Sequence, residues 1–310
     1  MAKRIKIIIN PISGSGRSMH FLERLKCALT DAQIECQISP TQQAGDAILM
    51  AQNHPDNTPI LCLSGDGTLN EVINGLLANT GFSAGNRPVL GYIPFGSGNV
   101  IAKELGLKRD IRQFIRLFQN NLFRSLDLGC VSLPKENLKR YFISMAGIGF
   151  DAQVAQKYHL SRKNGAKLQA HLFSYFPIAI KPLFSYQAPV IAIRADDKLI
   201  ADNASFVQIA NVRSYGGPFV LVNQAVHNDG ALDACWFTGK SALSILLYYT
   251  LAFLGRGSLA SAGHQRVTKV SISSLQNVPL QVDGDFCGYL PAEIEIIPGA
   301  IRMFTPTPMP

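Results

Sequence analysis

The chain has 310 residues, enough for two average domains or one large domain. Hydrophobic residues make up 47% of it, which excludes a disordered protein, and 26 glycines and 17 prolines are too few for a collagen-like or low-complexity chain. The net charge of +8 favours anionic partners, whether phosphate ligands, acidic lipid surfaces or nucleic acid, without choosing among them.

The cellular location is predicted from apolar runs and cysteines. We expect no signal peptide, because the apolar run after the basic start covers only Ile5–Ile9. The longest apolar segment, Ala242–Leu254, is shorter than the roughly 18 to 20 residues of a membrane-spanning helix. The six cysteines include no C-x-x-C pair and are interpreted as reduced thiols of a cytoplasmic protein.

The first 127 residues repeat one pattern, in which an apolar run leads into a turn of small residues and then a helical periodicity. The predicted strands are Ile5–Ile9, Ile34–Ser39, Ile60–Leu63 and Val89–Ile93, and the predicted helices are about Met19–Asp31, Asp46–Asn53, Leu69–Leu77 and Val100–Leu107. Strands that alternate with helices indicate βαβ units and a parallel sheet. Ligands bind at the carboxyl ends of such strands.

Short β-rich runs dominate the rest of the chain. The predicted strands are Ser125–Leu133, Tyr141–Met145, Val190–Arg194, Ser205–Ile209, Leu232–Phe237, Val267–Ser273, Leu280–Val282, Ala292–Ile297 and Ile301–Phe304. Two helices are predicted near Ala166–Leu183 and Lys240–Leu254. We therefore predict an α/β domain over 1–127, to which a tail of about 299–310 can return, and a β-rich domain over 128–298.

Three turns of the first domain place glycines between a strand and a helix: 10–17, 64–68 and 94–99. A helix N-terminus exposes backbone N–H groups, and glycine lets a phosphate approach them closely. Together the turns favour a phosphate-bearing ligand, although any one could merely be a tight βα turn. The chain contains no Walker A loop, complete dinucleotide fingerprint, G-x-S-x-G elbow or H-E-x-x-H motif, so these enzyme classes lose support.

The turn Gly65-Asp66-Gly67-Thr68 is unusual because it places an acid where a phosphate is expected. A bare carboxylate would repel a phosphate, so Asp66 predicts Mg²⁺ or a substrate proton nearby. Asn70 and Glu71 follow in the first turn of the helix, where an acid also suits the helix dipole.

Four motifs in order resemble the diacylglycerol kinase catalytic-domain family of lipid kinases, which includes sphingosine and ceramide kinases and the bacterial YegS and DgkB enzymes. They are Asn10-Pro-Ile-Ser-Gly14, Ser64-Gly-Asp-Gly-Thr-Leu-Asn-Glu71, Pro94-Phe-Gly-Ser-Gly-Asn99, and Val282-Asp-Gly-Asp285 with Pro298-Gly-Ala-Ile-Arg302. The resemblance implies an α/β N-terminal domain with a parallel sheet, like that of NAD kinases and diacylglycerol kinases. It also implies a C-terminal antiparallel β-sandwich domain, with the nucleotide cleft between the two.

The resemblance implies an enzyme that transfers a phosphoryl group from ATP to a lipid hydroxyl, with Mg²⁺ as cofactor. The residues that it assigns to ATP are Asn10, Pro11, Ser13, Gly14, Thr41, Ser64, Gly65, Asp66, Gly67, Thr68, Asn70, Glu71 and Ser97. It assigns a largely structural Mg²⁺ to the carboxylate of Asp229 and the carbonyls of Val226 and Ala231. The family's base position falls on Asp285, and we expect Asp66, Asp283 and Asp285 to be linked through water or metal around the hydroxyl.

Three positions depart from the family pattern. Ser64 replaces the usual first glycine, as in sphingosine kinases, Ser97 replaces a threonine, and Asp285 replaces a glutamate. Since Asp285 is one methylene shorter, the base could be Asp285 or Asp283. Without the resemblance, the spacing at Asn228–Gly230 and at Asp283-Gly284 would favour simple hairpin turns.

The acceptor is predicted to be a neutral lipid such as diacylglycerol, because Gln153 stands near the position where sphingosine kinases carry an Asp. Three alternatives stay open: a sphingoid or ceramide-type lipid kinase, a soluble-substrate kinase of the NAD kinase type, and a non-catalytic lipid-binding regulator.

The predicted partner is a lipid substrate at a membrane surface, with peripheral association. Cations flank the apolar segments Leu172–Ile180 and Leu243–Leu254; both are interpreted mainly as core helices, with a lipid flap hypothesised near 160–185. No recognition-helix or basic-aromatic pattern supports nucleic-acid binding, so we expect no such partner. A homodimer is left open.

Overall fold

The computed structural model describes residues 3–79, 81, 86–163, 186–216, 219–220, 222–256 and 263–306. The chain divides into two compact units, of which unit 1 comprises Met1–Leu126 with Gly299–Pro310 and unit 2 comprises Asp127–Pro298. The predicted helix 166–183 and nearly all of the hypothesised flap lie outside the described residues.

Unit 1 is an α/β unit around a parallel sheet. Its strands are β1 (Lys3–Ile9), β2 (Ile34–Pro40), β3 (Ile60–Ser64), β4 (Val89–Pro94) and the end of β18 (Ala292–Phe304). Its helices are α1 (Arg17–Asp31), α2 (Asp46–Gln52), α3 (Asp66–Ala78), α4 (Val100–Glu104) and α5 (Ile111–Gln119). The strand order is β2-β1-β3-β4-β18, and every pairing within it is parallel, as predicted for the first domain.

The central strands of unit 1 are buried on both faces. All five residues of β3 and all six of β4 are buried, which is typical of a parallel sheet covered by helices on both sides. Helix α1 packs one face into this core through Leu22, Leu25 and Leu29. The carboxyl ends of β1, β3 and β4 therefore lie next to each other at one edge of this sheet.

Unit 2 contains two mainly antiparallel sheets. Its elements are β5 (Phe123–Leu133, beginning in unit 1), β6 (Leu138–Phe142), β7 (Met145–Ile148), α6 (Phe150–Lys163), β8 (Ile191–Ala195), β9 (Lys198–Ala204), β10 (Phe206–Ala210), β11 (Ser214–Gly216), β12 (Phe219–Val220), β13 (Leu232–Phe237), α7 (Ala242–Phe253), β14 (Gly263–Val267), β15 (Lys269–Ser273), β16 (Pro279–Val282), β17 (Asp285–Tyr289) and the start of β18. One sheet has the order β14-β13-β10-β7-β16-β17. The other joins β18, β15, β8 and β9, with β5 paired to β18 and β6.

Alternating side chains build two apolar layers on the six-stranded sheet. Val207 and Ile209 of β10 join the cluster that fills the space between the sheets. Phe206 and Ala210, on the opposite face of the same strand, join a second cluster with residues of α6 and α7. The predicted antiparallel sandwich is thereby confirmed, with helices covering its outer side. No helix within the described ranges combines the length and apolarity needed to cross a bilayer.

Several predicted strand boundaries are wrong. The single strand predicted over 141–145 is β6 and β7, and the one predicted over 267–273 is β14 and β15, which belong to different sheets. The two strands predicted over 292–297 and 301–304 are one continuous strand, β18. The apolar periodicity of the sequence cannot reveal where one strand ends and the next begins. It does not show which strand each backbone N–H or C=O group pairs with. Helices α5 and α6 and strands β9 and β17 were not predicted.

Helix α2 packs against α3 so closely that only glycine fits at position 75. A Cβ added to Gly75 would overlap the Ile48 carbonyl oxygen and would lie 2.8 Å from the Cβ of Ala51. We expect Gly75→Ala to lower the free energy of unfolding by about 1–3 kcal/mol through overpacking, despite alanine's higher helix propensity. Thermal melting followed by circular dichroism measures the change.

Gly67→Ala is the matched control, since it lies in the same helix and nothing stands within 4 Å of its added Cβ. Equal melting temperatures for the Gly75 and Gly67 variants would contradict the packing argument.

Candidate active site

The three glycine-bearing turns of unit 1 lie side by side, because β1, β3 and β4 are neighbours in the sheet. The Asn10 backbone N–H donates to the Leu63 carbonyl at 3.2 Å, and the Phe95 N–H donates to the Ser64 carbonyl at 2.7 Å. The Asn10 side-chain amide also donates to the Thr68 hydroxyl at 3.3 Å. The turns after β1, β3 and β4 therefore form one connected group, which is called the triple-turn edge below.

Glycines set how closely two turns of this edge approach. A Cβ on Gly65 would lie 3.2 Å from the Cα of Gly96, and a Cβ on Gly96 would lie 2.9 Å from the Cα of Gly65. Gly14 has a φ of +62°, a left-handed conformation that glycine adopts without strain. These glycines are therefore required by the packing of the turns, whether or not a ligand is bound.

Asn10 organises the first turn through its side-chain oxygen and its backbone carbonyl. Its Oδ1 accepts from the Ile12 N–H at 3.2 Å, and its carbonyl accepts from the Ser13 N–H at 3.1 Å. The buried Ser18 hydroxyl donates to the carbonyls of Asn10 and Pro11. Across the sheet, the Thr41 N–H donates to the Ile9 carbonyl at 2.9 Å, which places Thr41 after β2, the neighbour of β1.

Asp66 binds protein groups with both carboxylate oxygens. Oδ1 accepts from the Tyr92 hydroxyl at 3.1 Å, and Oδ2 accepts from the Val100 N–H, at the start of α4, at 3.0 Å. Burial raises the pKa of Asp66, and hydrogen bonds from the start of α4 and from Tyr92 oppose that shift. Asp66 thus ties α3 to α4, a positioning role that the sequence did not reveal.

Three of the residues assigned to ATP by resemblance are engaged within unit 1. Asn70 is 2% exposed and accepts a hydrogen bond from the Asn74 amide at 3.0 Å. The Glu71 carboxylate accepts from the Gly45 N–H at the start of α2, and the buried Ser64 hydroxyl donates to the Gly65 carbonyl. The Glu71 bond joins α3 to α2, whereas the Asn70 and Ser64 bonds are local; all three side chains already have hydrogen-bond partners in the protein.

The open part of the triple-turn edge fits a polyphosphate. Apart from adjacent residues and the helix's own backbone, no atom of the described residues lies within 4 Å of a Cβ built on Gly16, which precedes α1, or on Gly67, in the first turn of α3. Both helices have more than three turns, and their N-termini favour anions. Ser97 is exposed on the third turn.

Two cations at the edge were not singled out from the sequence. Arg17 follows Gly16 and donates to the Gly14 carbonyl at 2.8 Å. Arg109 donates to the Pro94 carbonyl at 2.8 Å and stacks on the Phe95 ring at 4.5 Å. Burial, and then the positive charge of Arg17, lowers the pKa of Arg109. The position of Arg17 directly after Gly14-Ser-Gly16 was the available sequence signal; Arg109 had none.

In unit 2, Asp283 is held by three backbone donors. Its Oδ2 accepts from the Ile143 N–H at 3.0 Å, and its Oδ1 accepts from Ser144 and Met145 at 2.9 and 3.0 Å. These bonds occupy the N–H groups at the break between β6 and β7, which explains why the single strand predicted there is two. With three such bonds the carboxylate is a structural anchor, and it is poorly available as a base.

The turn that carries Asp283 is a two-residue hairpin. Val282 pairs with Asp285, and Asp283 and Gly284 have φ angles of 48° and 92°, as a type I′ turn requires. The hairpin interpretation of this motif is therefore confirmed, and it is compatible with a functional role. The Gly284 N–H donates to Gln281 Oε1 at 2.7 Å, and Gln281 Nε2 donates to buried Asp151 at 3.0 Å.

Asp285, directly after the turn, presents its carboxylate to solvent. Its side chain is 59% exposed, and its one ion pair among the described residues is a long contact of 3.8 Å to Arg140. Of Asp283 and Asp285, Asp285 has the more open carboxylate. Their hydrogen bonds therefore favour Asp285 over Asp283 as the candidate base. The spacing of the residues in the sequence could not show this preference.

The loop predicted to hold Mg²⁺ is held by protein groups. Asp229 Oδ2 pairs with the Arg266 guanidinium, and Oδ1 accepts from the Ala231 N–H at 3.2 Å. The buried Asp127 carboxylate accepts from the Gly230 N–H at 2.7 Å, while Val226 is exposed. Within the described parts of the chain, no three His, Cys, Asp or Glu side chains form a metal-binding group.

These contacts do not fit the resident Mg²⁺ predicted at Asp229, because an ion on that carboxylate would meet the guanidinium of Arg266. Carbonyl oxygens would suit Mg²⁺, but the charge that would attract the ion is already paired. The positive charge that balances Asp229 at this loop comes from the Arg266 side chain of the protein.

Comparisons with known proteins agree with this architecture. Residues 4–131 match the diacylglycerol kinase catalytic domain, and residues 144–305 match the YegS C-terminal NAD kinase beta sandwich-like domain. A diacylglycerol kinase of Staphylococcus saprophyticus is 30% identical over 311 residues, covering 99% of this chain and 96% of the relative. One of Staphylococcus epidermidis is 28% identical and covers 99% and 93%.

The chain belongs to the diacylglycerol kinase catalytic-domain family. A solved structure of a putative diacylglycerol kinase from Bacillus anthracis shares its fold, with a TM-score of 0.76 and 21% identity over 98% of this chain and 95% of that one. A second structure described in the same words has a TM-score of 0.75. The family resemblance inferred from the four motifs is thereby confirmed.

Within this diacylglycerol kinase family member, Asp283 and Asp285 differ in a way that stability can measure. Asp283→Asn replaces one acceptor oxygen with an NH₂ group that faces backbone N–H donors. We expect it to lower the free energy of unfolding by about 1–3 kcal/mol, because a buried donor loses its partner. Asp285→Asn should change stability by less than about 0.5 kcal/mol. Urea unfolding measures both.

Because Asn tolerates positive φ angles, Asp283→Asn preserves the turn conformation and isolates the loss of the acceptor. Equal stability of the two variants would contradict the anchoring role of Asp283.

The Arg266–Asp229 pair predicts how this family member responds to Mg²⁺ without nucleotide. Wild-type melting temperature should be insensitive to Mg²⁺, because Arg266 supplies the positive charge at Asp229. Arg266→Met should cost about 1 kcal/mol or less, as expected for a partly exposed pair, and added Mg²⁺ should recover part of that loss.

Arg194→Met, which removes an exposed cation elsewhere in unit 2, is the control and should show no Mg²⁺ response. Strong stabilisation of the wild type by Mg²⁺ alone would mean that the ion displaces Arg266.

Proposed function

We propose that the chain is an ATP-dependent lipid kinase that phosphorylates the free hydroxyl of diacylglycerol. The observation that carries the proposal is the arrangement of the Asp283-Gly284-Asp285 motif in a chain of this family. One acid is immobilised by three N–H groups, and the next carboxylate is left open to a substrate.

The nucleotide is proposed to bind as its Mg²⁺ complex at the triple-turn edge. The N-termini of α1 and α3 would receive phosphate oxygens through backbone N–H groups, with Arg17 adding positive charge. Asn10 and Asp66 contribute by keeping the turns in place, since their hydrogen bonds are made within the protein. Ser13, Thr68 and Ser97 are the side-chain hydroxyls proposed to contact the nucleotide.

Asp285 is the proposed base. As the lipid oxygen forms its bond to the γ-phosphorus, the bond from that phosphorus to the β,γ-bridging oxygen breaks and ADP leaves. The hydroxyl proton passes to the Asp285 carboxylate. Positioning and neutralisation of phosphate charge carry most of the rate enhancement in such a transfer, and the base supplies a smaller part.

A neutral acceptor is favoured by Gln153 in α6. Its Oε1 is buried and makes no hydrogen bond among the described residues, so it could accept one from a lipid hydroxyl. A buried ammonium would need a carboxylate to neutralise it, and an amide does not provide one. This supports diacylglycerol over a sphingoid base.

The test is phosphoryl transfer from labelled ATP in the presence of Mg²⁺ to diacylglycerol, ceramide, sphingosine and NAD in parallel. We expect diacylglycerol to be labelled. Asp285→Asn should lower kcat by about 10²-fold or more, since general base catalysis typically contributes 10²–10⁴. Asp285→Glu, which keeps the carboxylate, should retain more activity than Asp285→Asn.

The matched control is Asp202→Asn, which removes an exposed acid elsewhere in unit 2 and should leave activity unchanged. Labelling of NAD alone would replace the proposal with a soluble-substrate kinase. ATP binding with no labelled acceptor would indicate a non-catalytic regulator.

A further inference from the structure

Helix α7 is apolar on both of its faces, which is unusual for a surface helix. Its inner face packs into unit 2 through Ile245, Tyr248 and Ala252, all essentially buried. The opposite side, called the outer face of α7 below, consists of Leu243, Leu246, Leu247, Thr250, Phe253 and Leu254 at its end. At 100° per residue, these positions fall within one continuous arc.

The outer face is well exposed. Leu243 is 75% exposed, Leu247 is 55% exposed and Leu254 is 61% exposed. Single exposed leucines are normal on protein surfaces, but a contiguous apolar patch marks an interaction site. The buried inner face already explains how the helix folds onto the sheet. Folding therefore does not account for the outer leucines.

The two charged residues that flank α7 in the chain are both basic. Lys240 stands just before the N-cap Ser241, Arg256 follows the last turn, and both are exposed. No Asp or Glu occurs between Asp233 and Asp283, although the chain contains 21 acidic residues. The same holds for the residues between Asp151 and Asp196. An anionic partner is thus attracted by the exposed basic residues at both ends of α7.

We infer that the outer face of α7 docks on the surface of an anionic lipid bilayer. The helix would lie in the plane of the interface, with its leucines among the acyl chains and Lys240 and Arg256 at the headgroups. Its 12 residues are too few to span a bilayer, so this orientation is the one that buries the outer face. The inference rests on the proposed function, because a bilayer is where diacylglycerol resides.

A second copy of the chain is a less suitable occupant. Two outer faces packed together would bring Lys240 and Arg256 of both copies close to one another, with no acid on α7 to offset them. An anionic bilayer satisfies the apolar and the charged groups at once.

The test compares vesicle binding of Leu243→Gln/Leu247→Gln with that of the wild type, using phosphatidylcholine vesicles with and without phosphatidylglycerol. We expect the wild type to bind only when phosphatidylglycerol is present, and the double variant to bind about tenfold or more weakly. Lys240→Gln/Arg256→Gln should also weaken binding and reduce its salt dependence. Glutamine keeps the helix propensity, and melting temperature reports on folding.

Two controls match these variants. Leu49→Gln removes a leucine that is 58% exposed on helix α2 and should leave binding unchanged. Lys198→Gln/Lys135→Gln removes two exposed cations from other elements of unit 2 and should have little effect. Equal binding by the wild type and Leu243→Gln/Leu247→Gln would overturn the inference.

A second readout does not depend on losing binding. Leu247→Trp places an indole on the outer face, and its emission should shift to the blue when phosphatidylglycerol vesicles are added. The wild type, whose sole tryptophan is Trp236, provides the background. No shift, or a wild-type dimer that Leu243→Gln/Leu247→Gln dissociates in light scattering, would also overturn the inference.

Activity separates this inference from the proposed function. On a short-chain diacylglycerol in solution, Leu243→Gln/Leu247→Gln should keep the wild-type kcat, while on vesicles its activity should fall with its binding. If no lipid is phosphorylated but the outer face still carries vesicle binding, the proposed function fails and the docking surface stands.

Discussion

The carboxylate of Asp283 is the contact on which the proposed chemistry depends. Three backbone N–H groups, from Ile143 to Met145, converge on its two oxygens. They separate β6 from β7 and attach the turn of the β16–β17 hairpin to the start of β7, the strand beside β16. A carboxylate that accepts several N–H bonds is held rigidly, so Asp285, two residues later, starts from a defined position.

The acidic residues in this family's motifs therefore have different structural roles. Asp66 and Asp283 are held by N–H groups of the protein, and each joins one element to another. Asp285 is more exposed, with a long contact to Arg140, and is the acid that we propose meets the substrate. Two of the three acids expected to be reactive therefore act, in hydrogen-bond terms, as structural anchors within their own units.

In unit 2, the positive charge beside Asp229 comes from a protein side chain. Arg266 pairs with Asp229, where family resemblance predicts a metal ion, and Asp127 holds the same loop at Gly230. Lys240 and Arg256 flank α7, and no acid lies between Asp233 and Asp283 in the chain. Together with the exposed leucines of α7, these basic residues suit the charged bilayer surface on which the proposed substrate resides.

The sequence by itself determined the parallel α/β unit, the β-rich unit and the order of the four motifs, because apolar periodicity and glycine turns are local properties of the chain. It also identified the turns that meet at the triple-turn edge, since neighbouring parallel strands end together. Only the tertiary structure decided that Glu71 accepts a hydrogen bond from Gly45, that Arg266 pairs with Asp229, and that Asp283 is an anchor. Each of these roles is set by a hydrogen bond or ion pair to a residue distant in the chain, and no local pattern of residues encodes such a partner.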